Sequence, residues 1–194
     1  MEKMELDEVW TQSFGDTEPL AHLIRARFST RWVRLHSLPH AKRYPDTEEE
    51  MAIVLSRHNA VIDWLVDAEE QLALLSTGYS EEELPTCSEL SGHSLSLEEI
   101  PWRSVPMHEM DDDAEHPSYW HVFRSSVAWR SGALDAVFRL VAEDSVANVM
   151  LLSTGGWLYH PYDGGADVIL PSTLQRERLI TEFSGWVSSH PLGL

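Results

Sequence analysis

The 194-residue sequence predicts an α+β domain with a mixed or antiparallel sheet of about five to six strands and helices mainly on one face. Alternating apolar and polar residues, which are typical of strands, recur at residues 31–36 and 119–129. Apolar residues at helical spacing recur at residues 17–28 and 47–66. The predicted order is helix, strand, helix, strand, acidic insertion, strand, helix, three strands and helix. This order does not fit a doubly wound parallel fold.

The clearest local signals lie in the first third of the chain. A helix is predicted over residues 17–28, and the alternation that follows predicts a strand over residues 31–36. A long helix then begins at a strong cap, since Thr47 and Glu50 fit a capping box and three consecutive glutamates favour the positive end of the helix dipole. A second strand is predicted over residues 71–76.

The last third of the chain predicts one more helix, a hairpin and a final helix. Its elements are a strand at 119–129, a helix near 134–141, a buried strand at 148–153, hairpin strands at 157–160 and 166–170, and a helix capped by Ser172. Asp163-Gly164 between the two alternating segments predicts the hairpin turn, because glycine tolerates positive φ.

Negative charge is concentrated in the middle of the chain. The formal net charge is −18, and fourteen of the 32 acidic residues but only one of the 14 lysines and arginines lie between Asp67 and His116. A local field of this sign argues against nucleic acid or membrane partners and favours a basic protein partner. We therefore expect residues 1–194 to form a single domain with an irregular acidic insertion at about 79–117.

The insertion supplies the predicted partner-binding residues. Its two acidic runs would provide the attractive field, and a tryptophan would provide an anchor. These residues are Glu81, Glu82, Glu83, Asp111, Asp112, Asp113 and Trp102.

Composition and absent motifs limit the remaining classes of protein. A single cysteine, Cys87, excludes an internal disulfide and is typical of a reducing compartment. The sequence shows neither a secretory leader nor an apolar span, so we expect a cytoplasmic protein. It contains no phosphate-binding loop, dinucleotide fingerprint, nucleophile elbow or zinc motif, and it predicts no cofactor, no metal and no catalytic residue.

A second set of candidate residues lies on the predicted sheet. Arg34 and His36 project from the strand at 31–36 to the face opposite Val33, and His160 could reach the same face from the hairpin. Together with Arg124 these side chains would form an anion-binding patch, since arginine offers a fork of donors. The alternative is a solvated sheet face whose arginines form ion pairs; Asp163 and Asp167 would be the acidic partners.

Three more residues complete a candidate small-molecule site. His58 lies in the apolar stripe of the long helix, where a histidine is usually a core residue with one hydrogen-bonded nitrogen. Tyr162 and Asp163 lie close to His160 in sequence, and a histidine beside a carboxylate can serve acid–base chemistry. The full candidate set is Arg34, His36, His58, His160, Tyr162 and Asp163.

Four sequence blocks resemble the signature of an uncharacterised bacterial domain family. They read RWxRxHSLP from residue 31, KRYP from residue 42, RHN from residue 57 and HPYDGGxD from residue 160. The resemblance covers about three quarters of the chain and skips the acidic insertion. It implies that the blocks belong to one domain, and it implies no activity.

The sequence therefore favours a non-enzymatic acidic binding protein, specifically an immunity or inhibitor protein for a basic toxin or nuclease. The first alternative is a small-molecule-binding protein or enzyme with an Arg/His/Tyr/Asp site on the sheet. The second is a structural protein whose acidity serves solubility alone.

Overall fold

Five α-helices and seven β-strands make up the regular structure of the computed structural model, which describes residues 3–66, 70–107 and 116–188. The helices are α1 (Lys3–Phe14), α2 (Ala21–Arg27), α3 (Glu48–Leu65), α4 (Asp135–Ala142) and α5 (Thr173–Glu182). The strands are β1 (Trp32–His36), β2 (Gln71–Ser80), β3 (Ile100–Pro106), β4 (Tyr119–Ala128), β5 (Met150–Leu152), β6 (Leu158–Tyr162) and β7 (Gly165–Ile169).

The strands form one sheet in the order β1-β7-β6-β5-β2-β4-β3, and every neighbouring pair is antiparallel. The α+β class is therefore confirmed, but the sheet has seven strands, not five to six. The additional strand is β3, which lies within the predicted insertion and pairs with β4 at one edge. This strand was not predicted because it contains Pro101 and Pro106, and proline weakens the sequence pattern of a strand. Proline is nevertheless tolerated in a strand at the edge of a sheet.

Helices cover both faces of the sheet, which corrects the expectation that they lie mainly on one. The larger core packs α3, α4 and α5 against residues such as Leu74, Leu151 and Val168. The smaller core packs α1 and α2 against the opposite face, where Leu75 and Ile169 lie. The helix α1, which was not predicted, packs against this second face.

The segment between β2 and β3 is ordered and belongs to the larger core. It contains a short 3-10 helix at Glu89–Gly92, whose Leu90 is 2% exposed. Residues 81–84 form bends and residues 94–99 are irregular.

The predicted caps of α3 and α5 are present. The hydroxyl of Thr47 accepts a hydrogen bond from the backbone of Glu50, and Ser172 does the same for Gln175. The side chain of Glu50 accepts from the backbone N–H of Asp46 rather than that of Thr47, so the capping box is shifted by one residue.

The hairpin of β6 and β7 turns at Asp163 and Gly164 as predicted, but for a different reason. Glycines with positive φ among the described residues are at other positions, so the turn does not depend on that conformation. The neighbouring Gly165 is required for space, because a Cβ atom there would collide with the backbone carbonyl of Leu35 on β1. The close approach of β1 to β7 therefore depends on this glycine.

The outer edge of β1 is paired by the segment after α5. The backbone N–H of His36 donates to the carbonyl of Trp186 at 2.7 Å, and that of Ser188 donates to the carbonyl of Arg34 at 3.1 Å. This pairing removes a free edge from the sheet. Among the described helices, none is both long and apolar enough to cross a lipid bilayer.

We predict that Gly165→Ala destabilises the protein by at least about 2 kcal/mol, because the added methyl group must push β1 and β7 apart. Gly92→Ala is the matched control, since a Cβ atom there meets nothing within 4 Å. Urea unfolding of both variants measures the difference. Equal stabilities would show that the strands can separate without cost.

Candidate functional site

A buried ion pair lies at the centre of the polar face that the sequence predicted. Arg34 on β1 faces Asp167 on β7, and its Nε and Nη2 atoms donate to the two carboxylate oxygens at 2.8 Å each. The two side chains are only 11% and 7% exposed. Arg25 of α2 approaches the same carboxylate at 3.9 Å. The charge of Arg34 is therefore largely satisfied within the fold.

His160 and Tyr162 flank this ion pair on β6. His160 lies opposite Asp167, and the guanidinium carbon of Arg34 lies 4.7 Å from the ring centre of Tyr162. Burial lowers the pKa of His160 to about 4 and raises the pKa of Tyr162 to about 12. Both side chains are consequently neutral at pH 7. His160 Nδ1 is buried and makes no hydrogen bond within the described part of the chain.

Asp163 forms a second ion pair at the tip of the hairpin. Arg43 Nε donates to its carboxylate at 2.5 Å, and a hydrogen bond between Asp163 and the Tyr44 side chain raises the pKa of that phenol. Asp163 is 6% exposed, whereas the Arg43 side chain is 65% exposed. A cavity of about 130 Å³ lies beside this pair, lined by Asp144 and Asn148 and by the end of β6.

His36 lies at the margin of this polar face. Partial burial lowers the pKa of its imidazole, and the nearby positive charges of Arg34 and Arg57 lower it further. Arg57 also donates a hydrogen bond from Nη1 to the backbone carbonyl of His36 at 2.8 Å. By strand register His36 and Tyr162 are both aligned with Gly165, so one strand separates them, which is roughly 10 Å.

His58 lies on the other side of the sheet, in the larger core. Its Nδ1 atom is 2.6 Å from the hydroxyl of Tyr159, and its ring stacks on Phe138 at 4.9 Å. Burial lowers the pKa of His58 to about 4. His58 is thus a core histidine with one hydrogen-bonded nitrogen, and it does not join the other candidate residues.

The structure brings some of the predicted site residues together and separates others. Arg34, His160 and Tyr162 form one cluster, while Asp163 belongs to the adjacent pair with Arg43. Arg124 points to the same sheet face, but five strand-to-strand steps of about 5 Å separate β4 from β1. The anion-binding patch that includes Arg124 is therefore wrong. The alternative ion pairs with Asp163 and Asp167 are present, although both carboxylates are buried and not solvated.

The sequence did not identify Arg43 as the ion-pair partner of Asp163, nor Arg25 as a neighbour of Asp167. Arg43 lies in a block that the resemblance singled out, so a signal for it existed. The covering helix α2 brings Arg25 to the sheet, and no local pattern indicates that contact.

The predicted partner-binding residues fall into three groups. Glu81, Glu82 and Glu83 are exposed in the bend that follows β2. Asp111, Asp112 and Asp113 lie outside the described residues. The predicted anchor Trp102 is wrong, because its side chain is 5% exposed, packs edge-on against Trp10 and donates from Nε1 to Asp7 at 2.9 Å.

The comparisons with known proteins identify a family. A family model described as a domain of unknown function (DUF3885) matches residues 20–191. The chain belongs to this family. The predicted resemblance to an uncharacterised family is confirmed, and the span of the DUF3885 match includes the acidic segment that the resemblance was expected to skip. A search of curated proteins and a search of solved structures each gave no significant match.

The geometry of the DUF3885 domain indicates what its polar face can do. The bidentate pair between Arg34 and Asp167 fixes β1 against β7, and the pair between Asp163 and Arg43 fixes the loop before α3. These two ion pairs position the hairpin. In the described ranges, no group of three or more His, Cys, Asp or Glu residues is arranged to hold a metal ion.

We predict that Asp167→Asn destabilises the protein by about 3 kcal/mol, because it leaves the buried Arg34 charge without its carboxylate partner. Asp16→Asn is the matched control. It also removes a charge that pairs with an arginine, Arg27, but those side chains are 83% and 56% exposed. The control should change the free energy of unfolding by less than about 1 kcal/mol. Equal effects in denaturant titrations would contradict a structural role for the buried pair.

We also predict that stability falls as the pH falls from 6.5 to 4.5. The folded-state pKa values of His58 and His160 are about 4, below the ordinary value of 6.5. The unfolded chain therefore binds protons in this window while the folded protein does not, which favours unfolding. For His58 the full difference corresponds to about 3 kcal/mol.

Urea unfolding across this pH window tests the prediction. His58→Gln should reduce the slope of stability against pH, and His93→Gln, which removes a histidine that lies outside the two main cores, should not. A wild-type stability that stays constant between pH 6.5 and 4.5 would be incompatible with the buried neutral histidines.

Proposed function

We propose that this protein is a non-enzymatic binding protein whose acidic segment captures a basic protein partner. The partner class that fits is a toxin or nuclease with a positively charged active-site rim, for which the protein would act as an immunity or inhibitor protein. In this proposal it acts in the cytoplasm, where the exposed thiol of Cys87 would stay reduced.

The observation that carries the proposal is the uncompensated charge at Glu81, Glu82 and Glu83. All three side chains are exposed, and no ion pair of the described residues includes any of them. Arg103 is the one base in the acidic stretch, and it binds Asp7 of α1 at 3.1 Å. Arg103 therefore does not neutralise the three glutamates.

The backbone that presents these glutamates is held in place. The hydroxyl of Ser80 donates to the carbonyl of Glu82 at 3.0 Å, and the fully buried His121 lies 3.0 Å from the same carbonyl through Nε2. His121 is fixed in turn by Ser104 at 2.8 Å from Nδ1. A preorganised charged loop loses less conformational entropy on binding than a mobile one.

Further hydrogen bonds anchor the rest of the acidic segment. The carboxylate of Glu99 accepts hydrogen bonds from the hydroxyls of Ser76, Ser88 and Ser91. Glu89 accepts one from the backbone N–H of Ala147 at 2.7 Å. Glu89 and Glu99 thus serve the fold, whereas Glu81, Glu82 and Glu83 are exposed and form no ion pair among the described residues.

Exposed apolar side chains lie beside the glutamates in sequence. Leu84 is 77% exposed and Tyr79 is 59% exposed, and the Tyr79 ring contacts Trp120 edge-on at 5.9 Å. Interfaces are anchored by aromatic and apolar residues, while the surrounding charges steer the encounter. Tyr79 and Leu84 replace the buried Trp102 as the proposed anchors.

We predict that Glu81→Gln/Glu82→Gln/Glu83→Gln abolishes capture of basic proteins from a lysate of the native host. Glu8→Gln/Glu177→Gln/Glu182→Gln is the control, since it removes the same charge from exposed positions on the helices α1 and α5. Wild type and control should retain a basic partner at about 50 mM salt and release it at about 500 mM, where charge screening is stronger.

Two results would contradict the proposed function. One is the absence of any basic protein that wild type retains and the Glu81–Glu83 variant loses. The other is retention that does not depend on ionic strength. Deleting the segment is a poor test, because Leu90 contributes to the core and its loss would unfold the domain.

A further inference from the structure

A cavity of about 560 Å³ lies at the end of the β6–β7 hairpin opposite Asp163. It is enclosed by the end of α3, the turn before β6 and the first half of α5. The residues that matter for its chemistry are Trp64, Glu70, Trp157, Leu170, Gln175 and Arg178. Its volume falls in the range of about 300–1,000 Å³ that is typical of small-molecule sites.

Two tryptophans are part of its apolar lining. Trp64 is half-buried near the end of α3 and contacts Phe183 edge-on at 6.2 Å. Trp157 is 5% exposed, and its backbone N–H donates to the hydroxyl of Ser153 at 3.3 Å. The indole of Trp64 offers a flat surface to a planar ligand, whereas Trp157 exposes only a small part of its surface.

One carboxylate oxygen of Glu70 is engaged within the fold, while Gln175 and Arg178 offer donors to the cavity. The Oε1 atom of Glu70 accepts from both the backbone N–H and the hydroxyl of Thr154, each at 3.1 Å. The side-chain oxygen of Gln175 accepts from Ser172 at 3.2 Å, which leaves the amide nitrogen as a donor. Arg178 is exposed and makes no ion pair within the described ranges.

We propose that this cavity binds a small aromatic carboxylate, with the planar ring against Trp64 near the edge of Trp157 and the carboxylate at Arg178. A guanidinium binds a carboxylate with two parallel hydrogen bonds, and Gln175 can donate a third. The proposal is independent of the acidic segment, because the cavity lies on the α3 and α5 side of the hairpin.

The test uses 2-naphthoate as the probe and 2-naphthylmethylamine as its oppositely charged counterpart. Binding is followed through the indole Nε1–H resonances of Trp64 and Trp157 in ¹⁵N-labelled full-length protein. Trp64→Phe and Trp157→Phe assign the two resonances. The naphthoate should shift both resonances saturably, and the amine should bind at least about tenfold more weakly.

Arg178→Gln should weaken naphthoate binding at least about tenfold, which is the loss of one charge-assisted interaction. Arg130→Gln is the matched control, since Arg130 is also exposed and lies outside the cavity lining. Unchanged thermal unfolding midpoints verify that both variants are folded. The proposal is overturned if naphthoate shifts neither resonance, if the amine binds equally well, or if Arg178→Gln binds like wild type.

Discussion

The ion pair between Arg34 and Asp167 constrains the pairing of the first strand with the last. Residues of β1 alternate between the two faces, so a slip of one residue would carry Arg34 into the apolar core that Val33 and Leu35 occupy. A buried guanidinium without its carboxylate costs several kcal/mol, which excludes the slipped register. The same register places Gly165 beneath Leu35, where only glycine fits. The Arg34–Asp167 ion pair and the lack of a side chain at Gly165 together align the hairpin with β1. The hairpin turn then brings Asp163 to Arg43.

Local signals predicted much of this fold, and long-range contacts account for what they missed. The capped start of α3 and the alternation of β1 lie within single elements, so both were predictable from the sequence. The strand β3 was not, because prolines interrupt it and its formation depends on pairing with β4. For α1 a usable signal was present, since Leu6, Trp10 and Phe14 recur at helical spacing and are all buried. The acids between them obscured the pattern.

For the candidate site as well, local patterns predicted some features, and others depend on long-range contacts. Alternation on β1 correctly placed Arg34 and His36 on one face, and the sheet register adds Tyr162 and His160. Periodicity also placed His58 in an apolar stripe, which already separates it from a polar sheet face. Arg124 shares the face by alternation alone, and only the order of the strands reveals its distance from Arg34. Sequence patterns thus assign a face, but topology decides which residues of that face meet.

Several charged groups near the middle of the chain have a structural partner, which makes the three adjacent glutamates without one informative. Glu99 binds three serines and Arg103 binds Asp7, so burial and hydrogen bonding explain their positions. Three adjacent exposed glutamates repel one another and lower the stability of the compact state, and no contact among the described residues offsets that repulsion. Arg178 presents the opposite case, a cation that lines a cavity with two tryptophans and forms no ion pair among the described residues. At both places charged side chains are left without an ion-pair partner among the described residues. A binding partner that supplies the opposite charge would gain the most binding free energy there.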